Sequence, residues 1–232
     1  MKIFARISWL FATIAIFTSL FLMIVIYHLV PRPYARKITS WMLRISIFYS
    51  TQIEGEEDPE VQMFLVNHQS DIDIAVMETI TSKDLTWVAK KELFDVPFFG
   101  LVLKLPQDIA VERESKTSLI KLLKDAKDRL NKNRVITMFP EGTRSTKGKM
   151  LPFKSGAKVI ADKYKLCVQP IVLMQTAKYY NIKKFYYKPG RIKVIYLDSF
   201  IADKNDKEWL KNLRIKMQKV YDDELANNPS HR

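Results

Sequence analysis

Cysteine is nearly absent from this chain. Cys167 is the only one, so no disulfide framework and no thiolate metal site can form within it. This usage allows a reducing compartment. Glycine is scarce as well: there are six in 232 residues, and none falls in a G-x-G-x-x-G or Walker arrangement, which removes the simple nucleotide-cradling readings. Histidine is scarcer still, with His28, His68 and His231 the only three. There is no internal repeat and no low-complexity tract. Apolar residues make up 47% and charged residues 27%, a balance that excludes a disordered chain. The length suits one domain of ordinary size plus an extra element. Acidic residues are in deficit, and the net charge of +13 calls for an anionic partner: nucleic acid, an anionic membrane surface or a phosphorylated substrate.

The N-terminus helps to choose among these. From Ile7 to Val30 no residue is acidic or basic except His28, and the run is rich in Ile, Leu, Phe and Val. As a helix it would reach roughly 36 Å, enough to cross a hydrocarbon core of about 30 Å. A cleaved signal peptide is the alternative. The run is long for that purpose, however, and it ends in Tyr27-His28-Leu29-Val30-Pro31 rather than at a small-residue cleavage site, so an uncleaved anchor is the favoured reading. Arg32, Arg36, Lys37 and Arg44 follow the run, while Lys2 and Arg6 precede it. That excess places the chain in the cell membrane with its C-terminal part on the cytoplasmic face. Pro31-Arg32-Pro33 breaks the chain. Beyond it Ile38, Trp41, Met42, Ile45, Phe48 and Tyr49 recur at helical spacing, which fits either an interfacial helix or one packed on a globular domain.

Residues 1–50 therefore read as membrane-anchoring helices and 51–232 as the globular domain. Gln52–Glu60, acidic and carrying Gly55 and Pro59, reads as a linker or edge hairpin. Strands are expected at Met63–Val66, Leu85–Ala89, Val135–Phe139, Val168–Met174 and Arg191–Leu197. Helices are expected from about Ile72, over Lys116–Asn133, over Phe153–Tyr164 and over Lys207–Tyr221. The alternation predicts an α/β domain with a mostly parallel sheet flanked by helices.

Two loops stand out, each just after a strand. Asn67-His68-Gln69-Ser70-Asp71-Ile72-Asp73 puts a histidine where a strand gives way to a helix, a common place for active residues in open α/β sheets. Five steps along one helix would separate His68 and Asp73 by about 140°. Contact becomes natural if His68 stays in the loop and Asp73 enters the first helical turn. The carboxylate then engages one ring nitrogen and leaves the other free to take a proton. Ser70-x-x-Asp73 also matches a capping box, which would give Asp73 a purely local task. In the second loop, Phe139-Pro140-Glu141-Gly142-Thr143-Arg144-Ser145, Arg144 offers a planar fork of donors for a phosphate, and Gly142 lets the backbone come close. A surface turn with a Glu141–Arg144 ion pair is the plain alternative.

Taken together, the two loops resemble the signature blocks of the glycerolipid acyltransferases, and the 1-acyl-glycerol-3-phosphate (lysophosphatidic acid) acyltransferases in particular. The likeness runs from about residue 60 to 175, through Ala89-Lys90-Lys91-Glu92-Leu93, Pro97-Phe98-Phe99-Gly100, Phe153-Lys154-Ser155-Gly156-Ala157 and Val168-Gln169-Pro170-Ile171. There is one departure. Gln107 stands where the family usually has a glycine, and Glu112-Arg113 replaces an Asp-Arg pair, which bears on the backbone path at Gln107.

The resemblance implies transfer of a fatty acyl chain from an acyl thioester, acyl-CoA or acyl carrier protein, to the free hydroxyl of lysophosphatidic acid. His68 is then the base and Asp73 its partner. Lys90, Arg113, Glu141, Gly142, Thr143 and Arg144 form the substrate-binding set. The resemblance implies no metal and no cofactor beyond the thioester, and a membrane of anionic lipids as the further partner. Other lysolipid acceptors, such as a lyso-ornithine lipid, are the near alternative. A membrane-tethered nucleic-acid-binding protein is the distant one. Its support is the segment Lys178–Arg191, where basic and aromatic residues interleave. That segment suits anionic headgroups equally, and a plain hairpin with a solvated face is the first reading for it.

Overall fold

The structure is a computed structural model, which describes residues 2–46, 49–112, 116–145, 148–181 and 186–227. Two helices lead, α1 (Lys2–Leu29) and α2 (Arg32–Ser46), and they break at Pro31. Within α1, Trp9–Leu29 has a mean hydropathy of 2.5 over its most apolar window, and only 6% of that window is buried. This is one helix long and apolar enough to cross a membrane.

The amphipathic pattern of α2 is turned outward. Ala35, Arg36, Thr39 and Ser40 face the protein and are buried, while Tyr34, Ile38, Trp41 and Ile45 stand exposed. The helix does pack on the globular domain, through its small and polar side against α3 (Ile72–Ile80), while its apolar stripe is left uncovered among the described residues. Phe48 lies outside the described residues, and Tyr49 belongs to the sheet.

The sheet holds β1 (Tyr49–Glu54), β2 (Met63–Val66), β3 (Leu85–Lys90), β4 (Ile109–Val111), β5 (Val135–Met138), β6 (Cys167–Leu173), β9 (Gly190–Tyr196) and β10 (Phe200–Ile201). Its order is β1-β9-β6-β2-β5-β3-β4, with β10 added beside β6. Pairings are parallel throughout the β6-β2-β5-β3-β4 half, and β9 and β10 run antiparallel to β6. The mostly parallel sheet expected from the alternation is thus present. Gln52–Glu60 is not a hairpin. Its first part is the edge strand β1, which runs parallel to β9 with Tyr49 opposite Gly190.

Every residue of β2, β5 and β6 is buried because both faces of the sheet are covered. Met63 and Leu65 point to the face packed by α6 (Lys116–Asn131), α7 (Gly156–Tyr164) and α8 (Trp209–Asn227). Phe64 and Val66 point to the other face, beneath α3 (Ile72–Ile80). The short helices α4 (Lys91–Phe94) and α5 (Phe99–Lys104) fill the crossover from β3 to β4, and β7 (Tyr180–Asn181) pairs with β8 (Tyr186–Tyr187) in a small separate ribbon. The basic and aromatic segment therefore contains an antiparallel strand pair, and residues 182–185 lie outside the described residues.

Buried charge ties α2 to this frame. Arg36 Nε lies 2.6 Å from Glu78 of α3, and its Nη2 lies 3.1 Å from Asp108 just before β4. Burial disfavours this guanidinium's charge, but the two carboxylates more than offset that, so its pKa lies above the ordinary value. Glu78 also accepts a hydrogen bond from Trp87 Nε1 at 2.7 Å. At the amino end of β5, Arg134 is 1% exposed and donates to the Leu85 and Gln107 carbonyls. Gln107 has φ +60°, the left-handed conformation that glycine favours, and Arg129 Nε holds its carbonyl as well. The backbone here follows a glycine-like path without a glycine.

Candidate active site

The carboxyl ends of β2, β5, β3 and β4 share one edge of the sheet, and the two distinctive loops emerge there side by side. β2 ends at Val66. Asn67, next in the chain, is turned back into the sheet: its Nδ2 donates to the Leu173 carbonyl at 2.9 Å and its Oδ1 accepts the Leu173 N–H at 2.7 Å. This clip to β6 takes the chain out of the sheet at His68, which stays in the loop while Asp73 enters the first turn of α3.

His68 Nδ1 and Asp73 Oδ2 are 2.8 Å apart, and Asp73 is fully buried. The same carboxylate oxygen accepts the N–H groups of Gln69 and Ser70 at 2.7 and 2.9 Å. Half of a capping box is therefore real, since Asp73 does satisfy the Ser70 N–H. The other half is missing, because the Ser70 hydroxyl donates instead to the Tyr180 carbonyl at 2.6 Å. Asp73 serves the helix start and the histidine through one atom. With Nδ1–H directed at the carboxylate, Nε2 of the neutral ring keeps its lone pair, and it has no hydrogen-bond partner among the described residues.

The ring's orientation has a second cause that spacing did not reveal. Phe139 stacks on His68 with centroids 3.8 Å apart and planes 7° apart, and Trp87 stacks on Phe139 at 5.1 Å. Trp87 is in turn held by Glu78. The only signal available in the sequence was an aromatic residue at the head of the second loop.

That loop joins the first through the backbone. Ser145 N donates to His68 O at 2.8 Å, and Glu141 Oε1 accepts the His68 N–H at 2.8 Å. Glu141 Oε2 accepts the Leu151 N–H at 2.7 Å. Glu141 is 2% exposed, and burial raises its carboxyl above the usual range despite these two donors. The side chain expected in the substrate-binding set is thus turned inward as a clamp between loops, and it forms no ion pair with Arg144. Gly142, at φ +67°, makes the turn that sends Thr143 and Arg144 outward. Both are exposed, and Arg144 Nη1 donates to Asp71 Oδ2 at 2.5 Å, bridging the two loops. Lys90 is exposed at the carboxyl end of β3, on the same edge. Arg113, expected in the same set, lies outside the described residues. Among the described residues no group of three or more His, Cys, Asp or Glu side chains could hold a metal ion.

A half-buried, oriented imidazole with a free nitrogen, beside an exposed guanidinium, can deprotonate a hydroxyl on a molecule whose anionic group is held nearby. Residues 51–174 match the family model described as Acyltransferase. A 1-acyl-sn-glycerol-3-phosphate acyltransferase of Helicobacter pylori is 39% identical over 168 residues, covering 72% of this chain and 71% of its own length. One from Cocos nucifera is 30% identical over 233 residues, covering 96% of this chain and 75% of its own length. The crystal structure of the 1-acyl-sn-glycerophosphate acyltransferase PlsC of Thermotoga maritima superposes with a TM-score of 0.74 at 21% identity, covering 97% of this chain and 96% of that one. This last likeness shows a shared fold.

Proposed function

The chain belongs to the 1-acyl-sn-glycerol-3-phosphate acyltransferase family, and from that membership we propose that it carries a fatty acyl chain from an acyl thioester to the sn-2 hydroxyl of 1-acyl-glycerol-3-phosphate, yielding phosphatidic acid. The observation that carries the mechanism is the His68–Asp73 pair, bonded through the backbone to the loop that presents Arg144.

The chemistry balances with side chains alone. His68 Nε2 takes the hydroxyl proton as the oxygen attacks the thioester carbonyl. Asp73 carries the counter-charge to the imidazolium that forms. The tetrahedral intermediate collapses, the carbon–sulfur bond breaks, and the imidazolium returns its proton to the leaving thiolate. No covalent acyl-enzyme and no metal enter the scheme. Arg144, Thr143 and Lys90 face solvent on the rim of this site and receive the acceptor phosphate together with Arg113. Arg144 would exchange its present partner, Asp71, for the phosphate. Glu141 and Gly142 shape the loop from behind.

The protein associates with membrane through α1, and the apolar stripe of α2 lies at the interface, among anionic headgroups. The excess of arginine and lysine after α1 supports a catalytic domain on the cytoplasmic face. Acyl-CoA and acyl carrier protein both fit as donors. A larger lysolipid acceptor is the second reading, favoured by the openness of the rim. The test is acyl transfer by the purified full-length protein, with lysophosphatidic acid against a panel of lysolipids and both thioester carriers. Rates for other acceptors that exceed the lysophosphatidic acid rate would overturn the acceptor assignment, and no transfer to any acceptor would overturn the reaction.

A further inference from the structure

Between Lys90 at the rim and β4, the chain builds a small apolar projection that the chemistry leaves unused. Phe94 of α4 is buried and anchors it. Gly100 lies directly against the backbone of Phe94: a Cβ there would come within 2.1 Å of the Phe94 carbonyl oxygen. Phe99 N and Gly100 N close the turn on Pro97 O and Val96 O at 2.7 and 2.8 Å. Pinned on both sides, Phe98 takes φ +59°, a conformation that costs an aromatic residue energy, and its ring projects outward at 81% exposure. Leu93, Val96, Phe99 and Leu101 around it are also exposed. A soluble surface gains nothing from a strained, outward phenylalanine within such a patch.

Two features identify what covers it. α5 packs against α1, whose Trp9–Leu29 stretch is the apolar candidate span, so the projection continues the lipid-facing surface of the first helix. It also starts from the sheet edge that carries His68 and Lys90. Charge decides little here. Lys90, Lys91 and Lys104 are largely offset by Glu92 and Asp95, so apolar burial must supply the attraction.

We propose that the Val96–Leu101 turn, with Phe98 at its tip, inserts into the acyl region of the bilayer beside the mouth of the active site. Lysolipid can then move sideways from the leaflet to His68 without crossing water. The inference rests on the membrane reading of α1, and it adds a second contact that sets the site's height above the lipid.

The test uses full-length protein in vesicles of phosphatidylcholine and phosphatidylglycerol. Phe98→Cys, in a Cys167→Ser background, carries a polarity-sensitive fluorophore, and Lys211→Cys on α8 serves as the control position. Quenching at position 98 by quenchers on lipid acyl chains, with position 211 quenched by aqueous iodide, is the expected result. Iodide quenching at both positions would overturn the proposal. This readout needs no acyl transfer, so it stands or fails separately from the activity. In a second arm, Phe98→Ser raises KM for long-chain lysophosphatidate in vesicles about tenfold, and it leaves turnover of a short-chain, water-soluble analogue unchanged. An equal effect on both substrates, or none on either, would count against insertion.

Discussion

Replacing Asp73 by asparagine separates the two tasks of that residue. Asp73 Oδ2 accepts three hydrogen bonds, from His68 Nδ1, Gln69 N and Ser70 N, while Oδ1 is buried without a partner among the described residues. The asparagine oxygen can take the Oδ2 place and keep all three donors. Its amide nitrogen then occupies the Oδ1 place as a buried donor with no acceptor, which costs about 1–3 kcal/mol. At about 2–4 °C per kcal/mol for a chain of this size, Tm falls by roughly 2–12 °C and the fold survives. The alternative flip puts the amide NH2 against two backbone N–H groups and is worse. Activity suffers far more. The imidazolium formed during proton transfer loses a negative charge 2.8 Å away, on a carboxylate that is itself fully buried. A loss of kcat by about 10²–10⁴-fold follows, with KM for lysophosphatidate nearly unchanged. His68→Ala falls as far, and the double variant no further than the worse single one, because the two residues act as one unit. The assay is release of free thiol from the acyl thioester, paired with a thermal melt of the same preparation. Folded Asp73→Asn protein with kcat within about fivefold of wild type would leave Asp73 as a cap and refute the reasoning.

Arg144→Ala, removing an exposed guanidinium, raises KM for the phosphorylated acceptor about tenfold with little change in kcat, and Arg144→Lys recovers part of the loss; steady-state kinetics on varied acceptor check both. Arg36→Met leaves Glu78 and Asp108 buried without their cation and costs about 3–5 kcal/mol, read by denaturant unfolding; a loss under about 1 kcal/mol would mean that the cluster does not tie α2 to the sheet. The raised carboxyl of Glu141 gives a pH signature. Because its folded value lies above its unfolded one, its contribution is fully present below the unfolded value of ~4.3 and is lost as pH rises through the folded value. The stability of wild type relative to Glu141→Gln therefore declines as pH rises from about 4 toward neutrality, and a difference that grows with pH would reverse the sign of the argument.

What could be read from the sequence, and what could not, divides along the range of the interactions. His68 and Asp73 were legible because the geometry that joins them is local: a strand end, a loop and one helical turn within seven residues. The strands buried on both faces were legible because continuous apolar runs between helices leave little choice. Arg36 was not. On a helix with an apolar stripe, a basic residue on the opposite side ordinarily reads as solvated, and only Glu78 and Asp108, far along the chain, turn that side into the protein. The same inversion exposes Ile38, Trp41 and Ile45. The edge strand β1 was missed for a similar reason, since its partner β9 lies at the far end of the chain and its own sequence is acidic and polar. Phe139 marks the boundary between the two cases. It was recognised as the head of a loop, but its use depends on Trp87 behind it and His68 in front, a stack assembled from β3, β5 and the end of β2. The buried charge and the stack meet at Glu78, which holds Arg36 on one side and Trp87 on the other. A continuous line of contacts therefore runs from α2 to the His68 imidazole. The imidazole is held by Asp73 at one ring nitrogen, and its face is held by a stack that is anchored, through Glu78, to the helix whose apolar side is exposed.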